Sequence, residues 1–490
     1  MSGRNNYCIE TRNGSCIALH DIPLVPIARF RDMIIQYIGE GLRVSAFFGV
    51  RETEALLLYA VLADDKKGLL RLARSQLTKP SYHSLTPECP QLHLFEREIA
   101  EQFNLDPVGH PWLKPVRKMA AEEKFFRIDG DEVHEVAVGP VHAGVIEPGH
   151  FRFQCSGETV LHLEIALGYQ HRGIERALRG GPDLRSLHYA ETIAGDSTIA
   201  HATTFCQLLE SLSGTEVANS AHEIRAIGLE LERLANHVGD LGALSGDIGF
   251  LPTASYNGRI RGDFLNMSAL LCGNRFGRGL VVPGGTGFDL SDEYIDELTA
   301  RLERAERETR SAVELMWNST SVLARLEDIG ILNTRSAQSL GLVGPAARAS
   351  GVAIDVRADH PSGAYHFHPL SPIVQGAGDV LSRAMVRWLE IQESLRLIAD
   401  LCKTGAKSRS ISPPGPLAPE SLAVSMTEGW RGEVCHVAIT DADGRFARYK
   451  IIDPSFHNWQ GLARVMRNQE ISDFPLCNKS FNLSYCGHDL

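Results

Sequence analysis

Apolar residues recur at different spacings along the chain, and the change in spacing suggests how it is organised. Residues 27–39 have helical spacing, whereas R-V-S-A-F-F-G-V (43–50) and E-A-L-L-L-Y-A-V-L-A (54–63) are strand-like runs separated by a charged turn. From Leu94, acidic and apolar residues return to helical spacing and are followed by a loop rich in Pro and Gly. These patterns predict a small α/β module over residues 1–118.

Long helical patterns dominate the rest of the chain, after a polar connector at 119–130. They predict helices over residues 186–213, 217–245, 291–325 and 374–404. Alternation around Gly149 predicts a β-hairpin edge ahead of these helices. The predicted fold class is therefore α+β, in which the small α/β module precedes a mainly α-helical domain over 131–490, with a β-hairpin edge. The clearest flexible stretch is the Pro-rich loop at 410–420.

Composition narrows the class of protein. The chain has 490 residues, 43% of them hydrophobic, and a net charge of -11, which argues against nucleic acid as a partner because phosphate contacts need a basic patch. No apolar run is long enough for a membrane span, and the N-terminus lacks the apolar stretch of a signal peptide. Ten cysteines are scattered without any C-x-x-C, so a disulfide framework is not expected. We expect a cytoplasmic protein.

Three sequence blocks carry a family resemblance: G-Y-Q-H-R-G-I-E-R-A-L (168–178), I-A-G-D-S-T (193–198) and D-P-S-F-H-N (453–458). Together they resemble the large subunit of membrane-bound nickel–iron hydrogenases of the formate-hydrogenlyase type, and the related quinone-proximal subunit of complex I. In those hydrogenases the metal is held by one C-x-x-C near the start of the domain and a D-P-C-x-x-C near its end.

The matching positions in this chain are not cysteines. They are Ala194, Ser197, Ser455 and Asn458. Nickel and iron need soft thiolate ligands, whereas alanine supplies no donor atom and serine and asparagine supply weak neutral ones. The resemblance therefore implies a hydrogenase-like scaffold with degenerate ligand positions, and we expect no metal or other cofactor to be bound by the chain itself.

The resemblance also extends to the N-terminal module. Its segment L-F-E-R-E-I-A-E-Q-F-N-L-D-P-V-G-H-P-W-L, from Leu94 to Leu113, resembles the signature of the small complex I subunit that pairs with the large one. This implies a fusion of the two subunit types over residues 1–118 and 131–490. The module would then be an assembly element, and we expect the chain without it to fold as a soluble domain that no longer binds its partners.

Glu175 occupies the glutamate position of R-G-x-E, which relays protons near the metal in hydrogenases. A carboxylate in an apolar site has a raised pKa and can shuttle protons, so the resemblance implies that role for Glu175. The alternative is a structural ion pair with Arg172, three residues earlier on a helix. A similar choice applies to Arg348, Asp355 and Arg357, which are either buried charges beside the site or helix-cap pairs.

A second implied site concerns quinone. In G-P-V-H-A-G-V-I-E-P-G-H-F, His142 and His150 match the two histidines of the complex I segment, and Asp247 matches the aspartate of L-D-I-G. Gly195 stands where complex I has the tyrosine that binds the headgroup, and glycine has no side-chain donor. The candidate catalytic residues are thus His150, Asp247 and Glu175, and the candidate cofactor-binding residues are His142, Gly195 and Arg172; for His150 a plain loop histidine is the other interpretation.

The resemblance implies a subunit of an NADH dehydrogenase-like or hydrogenase-like oxidoreductase complex, inactive alone and peripheral on the inner face of the cell membrane. It would pack against an iron–sulfur partner subunit and a proton-translocating membrane arm, with quinone as one acceptor that the family allows. The alternative from another class is a non-catalytic subunit that bridges these partners. A true nickel–iron hydrogenase ranks third.

Overall fold

The computed structural model describes residues 7–52, 55–118, 124–143 and 146–490. Its helices are α1 Ile27–Gly39, α2 His93–Phe103, α3 Ile174–Leu178, α4 Ser186–Glu191, α5 Thr198–Ser213, α6 Asn219–Asp247, α7 Leu251–Cys272, α8 Asp292–Trp317, α9 Thr320–Leu326, α10 Thr334–Leu340, α11 Gly344–Ala349, α12 Val356–Asp359, α13 Val380–Cys402, α14 Pro454–Val465, α15 Phe474–Phe481 and α16 Tyr485–Asp489. Its strands are β1 Ile9–Thr11, β2 Ser15–Ala18, β3 Arg43–Arg51, β4 Leu56–Asp64, β5 Leu69–Leu77, β6 Ser81–His83, β7 Asp106–Val108, β8 Val133–Val138, β9 His150–Ser156, β10 Thr159–Ala166, β11 Val281–Val282, β12 Gly285–Thr286, β13 Ser421–Gly429, β14 Gly432–Thr440 and β15 Phe446–Ile452. The predicted α+β class is confirmed.

An antiparallel sheet in the order β1-β5-β4-β3 forms the centre of the N-terminal part. Every residue of β4 is buried, as its continuous apolar run requires, and α1 turns Phe30, Met33 and Ile34 inward. The predicted helix at 27–39 and the predicted strands at 43–50 and 54–63 are confirmed as α1, β3 and β4. Of the predicted connector, 119–123 lie outside the described residues, and 124–130 have no regular structure.

A second antiparallel sheet joins the two ends of the chain. Its order is β15-β14-β13-β2, and Ile17 of β2 stands opposite Leu422 of β13. Alternate residues of β13 face opposite sides, because side chains alternate along a strand. Leu422 and Val424 pack into the core of the N-terminal part, and Ala423 packs into the helical core. Packing thus crosses the predicted boundary between residues 118 and 131, and the two-domain division stays a prediction.

The helical body surrounds α6, which packs against α7 and α13. The helix predicted over 217–245 is confirmed as α6, and the last predicted helix begins only at Val380, where the side chain of Asp379 accepts the N–H of Ser382 and caps α13. Two predicted helices are each a pair in the structure. The pattern over 186–213 is α4 and α5 with a loop at 192–197, and that over 291–325 is α8 and α9.

The predicted hairpin edge is part of a three-stranded antiparallel sheet in the order β10-β9-β8. β8 and β9 lie on either side of the connection that contains Gly149, while β9 and β10 form the tight hairpin. Within the described ranges, no helix is both long enough and apolar enough to cross a membrane.

Candidate functional site

A buried contact brings the two degenerate ligand segments together. Nε2 of His201, in the first turn of α5, lies 3.1 Å from Oδ2 of Asp453, and both side chains are fully buried. Asp453 caps α14 by accepting the N–H of Ser455. The loop at 192–197 therefore lies beside the start of α14, as the family resemblance implies.

The fold uses the side chains at the four degenerate ligand positions for packing or for hydrogen bonds to the backbone. All four are buried: Ala194, Ser197, Ser455 and Asn458. The Oγ of Ser455 accepts the N–H of Ser484 at 2.8 Å, and the amide of Asn458 pairs with both backbone groups of Val343 at 3.0 and 3.1 Å. The described part of the chain contains no cluster of three His, Cys, Asp or Glu residues that could hold a metal ion. This donor set does not fit a nickel–iron centre.

Glu175 lies in a buried cluster of ion pairs. Its Oε1 accepts from Nζ of Lys450 at 2.9 Å and from the N–H of Ile451 at 3.0 Å, and its Oε2 lies 3.2 Å from Arg448. Lys450 also donates to both carboxylate oxygens of Glu98 on α2, at 2.7 Å each. The cluster thus ties the N-terminal part to the C-terminal sheet.

These cations determine the charge of Glu175. Burial by itself would raise the pKa of Glu175, but the positive charges of Lys450 and Arg448 outweigh burial and hold that pKa below its usual value. The expectation of a raised pKa in an apolar site is therefore wrong, because the site is not apolar. Glu175 is a buried carboxylate that stays ionised at neutral pH.

Arg172 has a different role from the predicted ion pair with Glu175. Its guanidinium donates to the carbonyls of Thr192 and Ile193 at 2.6 and 2.7 Å, and to that of Cys486 at 3.3 Å. It therefore fixes the loop that leads to the first degenerate position. The prediction of an Arg172–Glu175 pair is wrong, because Lys450 and Arg448 are the partners of Glu175.

The two candidate quinone histidines bind backbone carbonyls of the connection between β8 and β9. Nε2 of His142 lies 2.8 Å from the oxygen of Gly149, and Nδ1 of His150 lies 3.0 Å from that of Gly139. Nε of Arg152 donates to Nε2 of His150 at 3.4 Å, so both ring nitrogens of His150 have partners. Asp247 is exposed at the end of α6, and no hydrogen bond between described residues joins it to either histidine.

Gly195 lines a very small cavity, of about 10 Å³, together with Asp196 and Glu232 of α6. The carboxyl group of Glu232 accepts the N–H groups of Ile199 and Ala200 at the start of α5, at 2.6 and 3.2 Å. Burial raises the pKa of Glu232 to about 8, although the two N–H groups favour its charged form. Glu232 is not among the residues predicted from the sequence; the available signal was an acidic residue between the buried leucines of α6.

A second buried charge cluster contains Arg348, Asp355 and Arg357. Arg348 donates to Glu390 at 2.9 Å and to Glu428 at 2.7 Å, and Asp355 both pairs with Arg357 and caps α12. These residues are therefore buried charges, and Asp355 is also a helix cap, whereas their place beside the site stays a prediction. Burial and the charge of Asp355 raise the pKa of Glu428 to about 7, against the opposing charge of Arg348.

The sequence matches the family model for the respiratory-chain NADH dehydrogenase 49 kDa subunit, over residues 247–413 and 410–489. Formate hydrogenlyase subunit 5 of Escherichia coli (strain K12) is 30% identical over 490 residues, an alignment that covers 92% of this chain and 85% of that protein. The chain belongs to the 49 kDa subunit family. This membership confirms the predicted resemblance to hydrogenase and complex I large subunits, whereas the fused small-subunit-like module stays a prediction.

Two further relatives are similar to this chain over most of their own length. The carbon monoxide-induced hydrogenase of Rhodospirillum rubrum is 31% identical over 350 residues, covering 71% of this chain and 97% of that protein. NADH-quinone oxidoreductase subunit 4 of Thermus thermophilus is 28% identical over 369 residues, covering 70% and 90%. These relatives are oxidoreductases or their subunits, which agrees with the predicted class of an oxidoreductase-complex subunit.

The fold also matches a solved structure, that of the membrane-bound sulfane sulfur reductase, an archaeal respiratory membrane complex. The TM-score is 0.69 with 23% sequence identity, and the match covers 74% of this chain and all of the other chain. At this identity the likeness concerns the fold alone.

Proposed function

We propose that this chain is a peripheral subunit of a membrane-associated oxidoreductase complex, in which electron arrival at an iron–sulfur partner subunit is coupled to proton movement. The chain would hold no nickel–iron centre and would not be active alone. Relatives named as hydrogenase and NADH-quinone oxidoreductase subunits support this class. The proposed partners are the iron–sulfur subunit and a membrane arm at the inner face of the cell membrane.

The observation that carries the proposal is the position of Glu232. Its carboxyl group binds the first turn of α5 directly after Ser197, and it lines the small cavity beside Gly195. With a pKa of about 8, it is largely protonated at neutral pH. A cavity of about 10 Å³ has room for about one water molecule but not for a quinone headgroup. This geometry favours proton exchange over quinone binding at Gly195.

Coupling follows from electrostatics. A negative charge that arrives on a nearby redox centre raises the pKa of a carboxyl group, because it disfavours the ionised form. Inside a protein such an interaction is screened less than in water. Reduction of the partner would therefore cause proton uptake at Glu232, and reoxidation would release the proton.

Infrared difference spectroscopy of the assembled complex tests this proposal. Reduction should increase the C=O band of a protonated carboxyl group near pH 8, and Glu232→Gln should abolish the change. Glu297→Gln, at an exposed position of α8, is the matched control and should retain the band. A band that persists in Glu232→Gln, or its absence from the wild type, would contradict the proposal.

We further propose that quinone is the electron acceptor of the complex. This proposal rests on the family match of His150 and Asp247, and binding at His150 would require the ring to give up a partner, since both nitrogens are engaged. His150→Ala and Asp247→Asn should each lower quinone-dependent turnover of the complex while assembly is unchanged. Unchanged turnover in both variants would remove quinone from the proposal.

A non-catalytic bridging subunit is the second candidate. The hydrogen bonds that occupy Ser455 and Asn458 favour it, because they close the position where a metal centre would react. This candidate predicts that Glu232→Gln, His150→Ala and Asp247→Asn all leave the turnover and proton uptake of the assembled complex unchanged. The same measurements therefore decide between the two.

A further inference from the structure

A second and much larger cavity, of about 540 Å³, lies beside the Glu175 cluster. Six arginine or lysine side chains and three glutamates line it, so the lining has an excess of three positive charges. This is opposite in sign to the net charge of -11 of the whole chain. Such a concave region of one sign attracts counter-charged molecules.

The three glutamates are already neutralised or bonded within the fold. Glu98 and Glu175 share Lys450, and each pairs with an arginine as well. The third, Glu101, accepts two backbone N–H groups, at 2.6 and 3.0 Å. Among the described residues, no carboxylate of the lining therefore forms an ion pair with Arg176 or Arg179.

Three arginines in the lining have donor groups that no described residue accepts from. Arg176 and Arg179 are exposed at the cavity, and their guanidinium groups make no hydrogen bond or ion pair with the described residues. The Nε–H of Arg448 is buried and also lacks a partner, although the same side chain pairs with Glu175. With only 12% of its side chain exposed, Arg448 is held in place and cannot satisfy this donor by turning to bulk water.

We propose that this cavity binds a small oxyanion, a carboxylate or a phosphate, with Arg176 and Arg179 as its direct ligands and the Nε–H of Arg448 as a buried donor. A planar guanidinium group matches both kinds of oxyanion with paired hydrogen bonds. The cavity volume accommodates such an anion with several non-hydrogen atoms. This site is separate from Glu232 and does not depend on the proposed proton coupling.

Calorimetric titration of the full-length chain with inorganic phosphate, and separately with succinate, tests the site at fixed ionic strength. Saturable binding is expected for at least one of the two anions. The double variant Arg176→Gln/Arg179→Gln should weaken it about tenfold or more, since two charged donors are lost. The matched control Arg301→Gln/Arg310→Gln changes two arginines on α8 whose side chains are 41% and 48% exposed and pair with Glu297 and Glu306, and it should bind like the wild type.

Two further measurements keep the test sharp. Thermal unfolding of both double variants checks that they fold, and Arg448→Lys, which keeps a charge but removes the orphan donor, should weaken binding by a smaller factor. No saturable binding of either anion, or equal weakening in both double variants, would overturn the proposal. Binding by the free chain that disappears in the assembled complex would also overturn it, because the cavity would then be a surface for a partner subunit.

Discussion

Replacing Lys450 with methionine removes the positive charge that two buried glutamates share. Its Nζ lies 2.7 Å from both oxygens of Glu98 and 2.9 Å from Glu175, and only 1% of the side chain is exposed. Methionine has a similar length and no polar group, so the variant removes the charge with little change in packing. Two carboxylates would then face each other in the interior.

The expected loss in the free energy of unfolding follows from the burial of the ion pairs that Lys450 makes. Removing one partner of a buried ion pair costs roughly 3–5 kcal/mol, because the other charge stays in the interior without compensation. Arg117 and Arg448 still neutralise one glutamate each, so we expect a loss of about 3 kcal/mol. An exposed pair contributes roughly 0–1 kcal/mol, and Lys403, 74% exposed and paired with Asp400 at 2.8 Å, is of that kind.

The stability that Lys450→Met loses should also depend on pH. Burial alone would raise the pKa of Glu98, but the charges of Arg117 and Lys450 lower it to about 2 from the usual 4.5. A carboxyl group with a lowered folded-state pKa stabilises the protein above about pH 4.5, and this contribution disappears as the pH falls towards 2. The wild type should therefore lose more stability on acidification than Lys450→Met, and the difference between them should shrink.

Urea unfolding of the full chain, followed by circular dichroism at pH 7 and at pH 4, measures both effects. Lys450→Met should be less stable than Lys403→Met by about 2 kcal/mol or more at pH 7. The reasoning is refuted if the two variants lose the same amount, or if the gap is as large at pH 4 as at pH 7.

Deleting residues 1–118 should give an insoluble or unfolded product, contrary to the expectation from sequence. The deletion removes β2, which pairs with β13, and the core residues that pack on Leu422 and Val424. A soluble fragment with a cooperative unfolding transition would contradict this prediction. Asn458→Cys should cost about 1–3 kcal/mol in urea unfolding, since both backbone groups of Val343 lose their partner, whereas Asn318→Cys at an exposed position should change stability by less than about 0.5 kcal/mol. Elemental analysis of protein expressed in a host with nickel-insertion machinery should find no stoichiometric nickel, and one nickel per chain would refute the interpretation of the degenerate positions.

Local patterns predicted the elements whose apolar periodicity is strong. The helix predicted over 217–245 agrees with α6 to within two residues at each end, and β3 and β4 were equally clear. The break at 192–197 was missed because residues on both sides continue the helical pattern. The break is stabilised by Arg172, whose guanidinium donates to the carbonyls of Thr192 and Ile193, about twenty positions later in the chain. Such a contact has no local signature in the sequence.

The chemistry of the candidate site was harder to predict for the same reason. The R-G-x-E motif made Glu175 a candidate site residue, but the direction of its pKa shift depends on Lys450, which is 275 positions away. Likewise, the raised pKa of Glu232 depends on its burial, which outweighs the opposing effect of the two N–H groups that it accepts from the start of α5. A pKa reflects the charges and water that surround a group in space, and these are fixed only when the chain is folded.

The degenerate ligand positions show how the scaffold holds together without thiolates. In a metal site, the binding free energy of the ion also contributes to folding, so a chain that loses its ligands must secure the same segments by other contacts. Here His201 joins Asp453, the amide of Asn458 pairs with the backbone of Val343, and Ser455 accepts from Ser484. All of these contacts are buried, where a hydrogen bond is costly to lose. Ser455 and Asn458 are therefore structural parts of the fold, and cysteines at these two positions would have to displace hydrogen bonds before they could bind a metal.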